Sequence, residues 1–225
     1  MPETHFQQEL EKLEVAIMRM FTLTEQSLNK AISAMRERDD DKAQEVIEED
    51  EQLNNLEVEV DDITLHILAL WQPVARDLRF ITGCSRIATN LERIGDQATN
   101  ICERVLMLNQ KPKLDLMNTV DALSERALTM YRNVVGAFSD QDSEAAMEVC
   151  RADSTVDDMN IRIMRELIDF MITENVIVER AVHCIIIANA LERVGDLSTN
   201  IGEDVVFISR GINVKHCDTY DQFSF

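Results

Sequence analysis

Residues that form tight turns or favour strands are scarce in this chain of 225 residues. Glycine occurs 6 times and proline 3 times, and aromatic residues make up 5% of the sequence, whereas hydrophobic residues make up 45%. A fold of many short strands needs turn residues at every connection, so this composition excludes it and suits long helices. We therefore predict an all-α fold.

Long apolar runs are also absent. No window reaches the roughly 18 apolar residues that a membrane-spanning helix needs. The first residues, Met-Pro-Glu-Thr-His-Phe, do not have the basic and then apolar order of a signal peptide. From these two absences we expect a soluble, cytoplasmic protein.

Basic residues are few relative to acidic ones. The chain has 22 Lys and Arg against 42 Asp and Glu, which gives a formal net charge of −20. Binding to a nucleic-acid backbone needs a basic surface that displaces counterions, so a nucleic-acid partner is excluded. Cations or a basic protein surface are the expected partners.

Cysteine and histidine do not occur at the spacings of disulfide frameworks or zinc sites. The cysteines are 5, an odd number, and none forms a Cys-x-x-Cys pair. Cys84, Cys102 and Cys184 fall in helical apolar phase, so we predict inert core packing for them rather than redox chemistry. For His66 and His183 we predict core or surface positions rather than metal ligation.

Apolar residues recur at spacings of three and four along most of the chain, which predicts six long helices. They cover about residues 5–38, 41–70, 74–108, 116–138, 144–173 and 177–209, with Asp142 or Ser143 as the N-cap of the fifth. Three antiparallel helices in each half predict two tandem three-helix bundles, residues 1–112 and 113–225. The second bundle ends in a short C-terminal tail, which we expect to be loosely held from Gly211 onward.

The two halves share a repeated motif at an offset of one hundred residues. Leu-Glu-Arg-Ile-Gly-Asp-Gln-Ala-Thr-Asn-Ile at 91–101 returns as Leu-Glu-Arg-Val-Gly-Asp-Leu-Ser-Thr-Asn-Ile at 191–201. On a helical wheel the acids Glu92 and Asp96 share one stripe with Thr99 and Glu103 at the edge of the core, and the arginines lie off it. Like charges one turn apart repel each other, so this stripe predicts a bound cation.

The second copy has the same stripe, and Arg193 is expected to lie off it. Its members are Glu192, Asp196, Thr199, Asn200 and Glu203. Glycine costs a helix about 1 kcal/mol relative to alanine. Gly95 and Gly195, which stand at the same place in both copies, therefore predict close approach of a neighbouring helix or of the site itself.

The preceding helix of each half offers further oxygen ligands on one face. The first half has Asp50, Asn54 and Glu57 at i, i+4 and i+7, and the second half has Asp153, Asp157 and Asn160 at the same spacing. An all-oxygen set suits hard cations, so we predict Mg²⁺, Mn²⁺ or iron, with Zn²⁺ as a further candidate. The Glu-x-x-His motif of di-iron oxidases is missing, which argues against oxygen chemistry.

The doubled Glu-Arg-[Ile/Val]-Gly-Asp-x-x-x-Asn-Ile and the Ala-Arg-Asp-Leu-Arg at 75–79 resemble the PhoU family over about residues 7–210. The resemblance implies two three-helix bundles related by a pseudo-twofold axis, metal ions at the acidic motifs, and a homodimer. It further implies a cytoplasmic negative regulator of phosphate uptake and phosphate-starvation signalling, peripheral to the inner membrane at most. Its implied partners are a phosphate ABC transporter and a sensor histidine kinase.

The resemblance also implies which residues hold the metal. They are Glu92, Asp96 and Asn100 opposite Asp50 and Asn54, and Glu192, Asp196 and Asn200 opposite Asp153 and Asp157. Asn54 stands where the second half has Asp157, so we expect the first site to be one negative charge poorer and to bind a cation more weakly or hold fewer ions. Arg76, Asp77 and Arg79 match the family motif without a role that the residues themselves predict.

Two other functions stay open at the level of the sequence. A metal-dependent hydrolase would use metal-activated water, but no histidine, serine or cysteine nucleophile is expected near the stripes. A purely structural bundle would leave the acids solvated or facing a basic partner. We therefore predict a non-enzymatic, metal-binding adaptor.

Overall fold

The computed structural model describes residues 2–114 and 117–215, and within these ranges it contains helices and no strand. The helices are α1 Pro2–Glu37, α2 Asp40–Trp71, α3 Ala75–Asn109, α4 Met117–Ser139, α5 Ser143–Thr173 and α6 Val178–Arg210, with one 3₁₀ turn at Asn175–Ile177 before α6. The all-α prediction is confirmed, and most helix ends agree with the predicted ends to within one residue. The predicted start of the fourth helix, Leu116, lies outside the described residues.

The same turn geometry joins the first two helices of each half. Arg38 and Gln141 have φ angles of 58° and 52°, and each precedes an aspartate that caps the next helix. Asp39 accepts a hydrogen bond from the Lys42 amide at 3.0 Å, and Asp142 accepts from the amides of the second and third residues after it. The N-cap of α5 is therefore Asp142, and the repeat extends from the helices to the turns.

α3 and α6 lie at the centre of the molecule, where each contacts the other two helices of its own half and both contact each other. They run antiparallel, because the start of each lies beside the end of the other. Near the start of α3, a Cβ added at Gly83 would lie 2.5 Å from Ile208 Cγ1 at the end of α6. Just after the end of α3, Lys111 forms an ion pair with Glu179 at the start of α6, at 2.9 Å. The buried apolar residues of the two halves form one continuous core, and the division at about residue 112 into two domains stays a prediction.

α1 and α4 also pack against each other across the two halves. Phe21 and Tyr131 are fully buried there, and the Tyr131 hydroxyl donates a hydrogen bond to the Phe21 carbonyl at 2.7 Å. Further along, Arg36 forms ion pairs with Asp121 and Glu125 of α4. Antiparallel packing of equivalent helices is the arrangement that a twofold axis produces.

The segment after α6 is exposed at residues 211–213, but it is held to the core at Val214 and Lys215, where the prediction of a loosely held tail is wrong. Gly211 ends the helix with φ of 75°, Val214 is fully buried, and Lys215 forms an ion pair with Asp204 at 3.2 Å. Burial of the apolar Val214 side chain and the ion pair of Lys215 oppose the entropy that this short segment loses. Residues 216–225 lie outside the described part of the chain.

The three cysteines predicted to pack in the core, Cys84, Cys102 and Cys184, are buried. Cys150 is buried as well, and burial raises the pKa of the Cys102 and Cys150 thiols to about 12. Thiols held neutral in this way are core residues rather than nucleophiles. Cys217 lies outside the described residues. Across the described helices, no segment is both long and apolar enough to span a membrane.

Candidate metal centre

The two acidic stripes face two clefts, one between α2 and α3 and one between α5 and α6. The repeated glycines allow the helices to approach there. A Cβ added at Gly95 would lie 2.4 Å from Leu53 Cδ2, and one added at Gly195 would lie 3.2 Å from Val156 Cγ1. The predicted close approach of a neighbouring helix is confirmed, since a methyl group fits at neither position without movement of the facing side chain.

Three carboxylates converge in the second cleft. Asp153 and Asp157 of α5 and Asp196 of α6 each place one oxygen within 4.8 Å of the others, and all three residues are half-buried. Within the described residues this is the one group of three or more Asp, Glu, His or Cys side chains with that convergence. Oxygens at such separations can share one hard cation.

The carboxylates of the second cleft repel one another, and their pKa values are raised. Burial, together with the charges of Asp196 and Asp157, raises the pKa of Asp153 to about 6. The pKa values of Asp157 and Glu192 are also raised, first by burial and then by the charge of Asp196. The cleft therefore holds four acids whose ionised forms disfavour one another, and a cation would reverse that effect.

Oδ1 of Asp153 and Oγ1 of Thr199 are buried in the second cleft and form no hydrogen bond of good geometry among the described residues, and Thr199 is 6% exposed. The Thr199 hydroxyl is nevertheless close enough to Asp153 to lower the pKa of that carboxyl, an effect smaller than those of burial, Asp196 and Asp157. A buried polar atom without a partner is costly unless a bound ligand or water satisfies it. This donor set, which consists of carboxylates and a hydroxyl, fits Mg²⁺, Mn²⁺, iron or Zn²⁺.

Arg193 departs from the predicted arrangement. Although its Cα lies off the acidic stripe, its Nη1 reaches Asp196 Oδ2 at 2.7 Å and forms an ion pair with it. Wheel positions describe where side chains leave the helix, whereas a long arginine can turn back over one helical turn. Both side chains are partly exposed, so a cation can displace this pair at low cost.

The first cleft is organised around Asp50. Its Oδ1 accepts a hydrogen bond from Thr99 Oγ1 and its Oδ2 accepts one from Asn54 Nδ2, each at 3.2 Å. Glu92 is half-buried and Asp96 is exposed, and no three carboxylates of this cleft converge as those of the second cleft do. Partial burial and neighbouring carboxylates raise the pKa of both Glu92 and Asp96.

The other predicted ligands are less closely involved. Asn100 and Asn200 are half-buried one turn beyond Asp96 and Asp196, and within the described ranges neither forms a hydrogen bond to the carboxylates. The two acids at the end of the stripes differ in burial. Glu103 is exposed and forms an ion pair with Arg104 at 2.8 Å, whereas Glu203 is only 6% exposed. The two stripes are therefore not equally buried.

His66 and His183 occupy surface and half-buried positions outside the carboxylate group of the second cleft. His66 is exposed on α2, and His183 is half-buried on α6 close to Glu179. Neither belongs to the converging carboxylate group of the second cleft.

The Arg-Asp-Leu-Arg segment lies at the junction of the two halves rather than in a cleft. Arg76 Nη2 donates a hydrogen bond to Gln141 Oε1 at 2.9 Å, in the turn between α4 and α5. The Arg79 guanidinium packs against Gly211, where a Cβ would lie 3.2 Å from Cζ. These contacts give the segment a structural role that sequence reasoning missed.

Sequence reasoning also missed Asp204, which is fully buried between the halves. Its Oδ1 pairs with Arg86 of α3 at 3.0 Å and with Lys215 after α6. One signal was present, because Leu197, Ile201, Asp204 and Ile208 follow one another at apolar helical spacing. An acid in such a series indicates a buried ion pair.

The organisation in two similar halves is shared with known proteins. The family model described as PhoU domain matches residues 17–105 and 120–205, one match in each half. The chain is 35% identical to the phosphate-specific transport system accessory protein PhoU homolog of Pseudomonas putida, over 94% of this chain and 83% of that protein. It is 33% identical to the phosphate-specific transport system accessory protein PhoU of Escherichia coli strain K12, over 94% and 88%.

A solved structure shares the architecture. The crystal structure of PhoU from Pseudomonas aeruginosa superposes with a TM-score of 0.90 at 33% identity, and the match covers 92% of this chain and all of that one. The six-helix arrangement and the acidic clefts therefore lie within a region of common fold.

Proposed function

Because this chain belongs to the PhoU family, we propose that it is an accessory protein of a phosphate-specific transport system and represses phosphate uptake and phosphate-starvation signalling. The observation that carries this proposal is the similarity to relatives of that name over 94% of the chain. The proposed role is that of a cytoplasmic, non-enzymatic adaptor between the phosphate ABC transporter and a sensor histidine kinase.

The charge and shape of the molecule suit an adaptor. A net charge of −20 favours association with basic surfaces of partner proteins. Long helices such as α2 and α5 present extended outer faces, and partners can bind there without disturbing the core. The proposed partners would contact these faces at the inner side of the membrane.

We propose that the two clefts hold metal ions. In the second cleft Asp153, Asp157 and Asp196 would supply the first oxygens, with Glu192 beside them. A bound Mg²⁺, Mn²⁺, Fe or Zn²⁺ ion supplies positive charge that relieves their repulsion. Since the carboxylates come from both α5 and α6, they would hold these helices at a fixed distance and so fix the surface that a partner meets.

A phosphate-responsive reporter tests the regulatory role. Deletion of the gene should raise reporter output in phosphate-rich medium, and the wild-type gene should restore repression. Unchanged output after deletion would contradict the proposal. A gene encoding D153N/D157N/D196N separates the regulatory role from metal binding. Restored repression by this variant would mean that regulation does not need the carboxylates of the second cleft.

The proposed homodimer is tested by light scattering on the purified protein. The chain has a mass of 25.7 kDa, so a dimer should scatter as a particle of twice that mass at micromolar concentration. A single species at the monomer mass would contradict the dimer and would leave the adaptor role standing.

A further inference from the structure

Large apolar side chains are exposed at the connection between α5 and α6. Ile172 is 75% exposed and Val176 is 88% exposed. Four more apolar residues are exposed around them, and we call the six together the apolar tip: Ile168, Phe170, Ile172, Val176, Val178 and Val182. A single exposed apolar residue needs no explanation, whereas a group of this size on a soluble protein marks a binding surface.

The apolar tip is one end of the molecule rather than a set of scattered positions. Ile168 and Ile172 lie one turn apart at the end of α5, and Val178 and Val182 lie one turn apart at the start of α6. Residues one turn apart share a face of their helix. Val176 lies in the 3₁₀ turn that joins the two helices. The tip is therefore a projecting turn with apolar side chains on both of its helices.

The lengths of the helices explain why the tip projects. In the first half α1 reaches the end of α2, where the ring centroids of Phe6 and Trp71 lie 5.9 Å apart. In the second half α4 has 23 residues, eight fewer than α5, which has 31. Eight residues correspond to about 12 Å of helix. The described residues therefore cover the end of α2 with a helix and leave the end of α5 exposed.

The free charges of the tip are negative. Between residues 166 and 182, three exposed acids form no ion pair within the described ranges: Glu166, Asp169 and Glu174. The fourth acid, Glu179, is paired with Lys111. The guanidinium of Arg180, the one cation of this segment, donates to the Pro112 carbonyl oxygen at 3.0 Å. The tip thus combines apolar side chains with negative charge that has no partner of its own.

Charge distinguishes among the surfaces that could cover the tip. The cytoplasmic face of a membrane is anionic and would repel these acids and a chain of net charge −20. A second copy placed tip to tip would bring the same acids together, and a copy that bound the tip with another surface would leave its own tip open for the next. An apolar surface with a basic rim matches the tip in both respects.

We propose that the apolar tip is the docking surface for a partner protein with a concave apolar surface and a rim of Lys and Arg side chains. This inference rests on the proposed function, because it names the surface by which the adaptor binds one of its partners. Ile172 and Val176 enter the apolar centre, and Asp169 and Glu174 pair with the basic rim. The buried centre contributes affinity, and the charges at the rim orient the partner.

The first experiment compares I172S/V176S with V15S/V58S in a strain that lacks the gene. Val15 and Val58 are 59% and 60% exposed and lie in the first half, so this control also removes two exposed apolar side chains. In phosphate-rich medium I172S/V176S should raise the output of the phosphate-responsive reporter to at least half of the level in the deletion strain, whereas V15S/V58S should repress like the wild type. Immunoblots and melting temperatures show that both variants are present and folded.

A second variant tests the charges of the tip. D169K/E174K keeps all six apolar side chains and reverses two charges, so a basic rim would repel it and reporter output should rise. E51K/D62K reverses two exposed acids of α2 and should repress like the wild type. Full repression by D169K/E174K would contradict a basic partner.

Two binding measurements test the membrane and the second copy as occupants. Vesicles of phosphatidylglycerol and phosphatidylethanolamine should not bind the wild-type protein in a flotation assay, and binding that I172S/V176S abolishes would assign the tip to the membrane. Light scattering should give the same mass for the wild-type protein and I172S/V176S, and a lower mass for the variant would assign the tip to a second copy. Either result overturns the inference.

The outcomes separate this inference from the proposed function. If deletion of the gene raises reporter output but I172S/V176S represses like the wild type, the inference is overturned and the regulatory role stands. If V15S/V58S loses repression to the same extent as I172S/V176S, the effect is not specific to the tip and the inference is overturned as well. If deletion leaves reporter output unchanged, both fail.

Discussion

Glu92 and Asp96 lie one turn apart on α3 with the same charge, and the charge of Asp96 adds to burial in raising the pKa of Glu92. A like-charge pair at this spacing destabilises a helix by about 0.2–0.5 kcal/mol. In the proposed function this repulsion favours cation binding, because a bound cation relieves it. The pair thus costs the metal-free protein stability, and in the proposed function it would supply ligands to a bound cation.

E92Q/D96N should therefore stabilise the metal-free protein. The expected rise in melting temperature is about 1–2 °C, from the relief of about 0.5 kcal/mol of repulsion. E51Q/D62N, which neutralises two exposed acids elsewhere on α2, is the control. A marked fall in melting temperature for E92Q/D96N would contradict the cleft geometry, since it would mean that these carboxylates make favourable contacts without metal.

The raised pKa of Asp153 predicts that the stability of the folded protein depends on pH. Its pKa is raised from 3.8 to about 6 in the folded protein, so the folded state holds a proton that the unfolded state releases. The resulting stability is complete below about pH 3.8 and is lost as the pH rises through about 6. The raised pKa values of Asp157 and Glu192 act in the same direction.

The measurement is the melting temperature of metal-free protein between about pH 4.5 and 7.5. The wild-type protein should melt at lower temperature as the pH increases, and D153N should show a smaller decrease. D169N, which changes an exposed acid of α5, should follow the wild-type curve. A D153N curve parallel to the wild type would mean that Asp153 does not titrate in this range.

At the scale of the helices, two glycines illustrate opposite roles. Gly136 is exposed on α4 and has no atom within 4 Å of an added Cβ, whereas on α6 an added Cβ at Gly202 would lie 3.0 Å from the carbonyl oxygen of Ala146. The first glycine serves no packing need. The second allows α6 to approach the backbone of α5, which cannot move aside as a side chain can.

G136A should stabilise the protein by roughly 0.5–1 kcal/mol, because alanine loses less backbone entropy in a helix. G202A should destabilise it by about 1–2 kcal/mol, since steric overlap with the α5 backbone exceeds the same entropic gain. Urea unfolding of both variants measures the difference directly. A stabilising G202A would show that α5 and α6 are further apart than in this structure.

Helix positions were predicted well because each follows from local sequence. Apolar spacing determined where a helix runs, and Asp142 and the Pro73 region marked where helices begin or end. The register between helices could not be predicted in the same way. Which residue of α2 faces Gly95 depends on how Leu53 packs against it, and that contact joins segments that are remote in sequence.

At the scale of the whole molecule, Asp204 connects the two halves and the segment after α6. It is fully buried, whereas its partners Arg86 and Lys215 are 38% and 30% exposed. Its Oδ2 has no hydrogen-bond partner among the described residues. Burial raises the pKa of this carboxyl, and Lys215 and Arg86 oppose the rise, so the charge depends on these two cations.

R86M/K215M should destabilise the protein by about 2–3 kcal/mol, below the usual cost of breaking a buried pair because the cations are partly exposed. Adding D204N should recover part of this loss, since an amide carries no charge to desolvate. Urea unfolding of the double and triple variants tests both steps. A loss below about 0.5 kcal/mol in R86M/K215M would contradict the role of this ion pair in joining the halves.

The all-α fold, the two similar halves and the two acidic motifs with their glycines could be predicted from the amino-acid sequence alone. These follow from apolar period, composition and an internal repeat, which are properties of the chain in one dimension. Which oxygens lie close together depends instead on how the helices pack. Asp153, Asp157 and Asp196 converge while the acids around Asp50 do not, Arg193 turns onto Asp196, and Asp204 is buried between α3 and α6, because helix register and burial depend on contacts between distant segments.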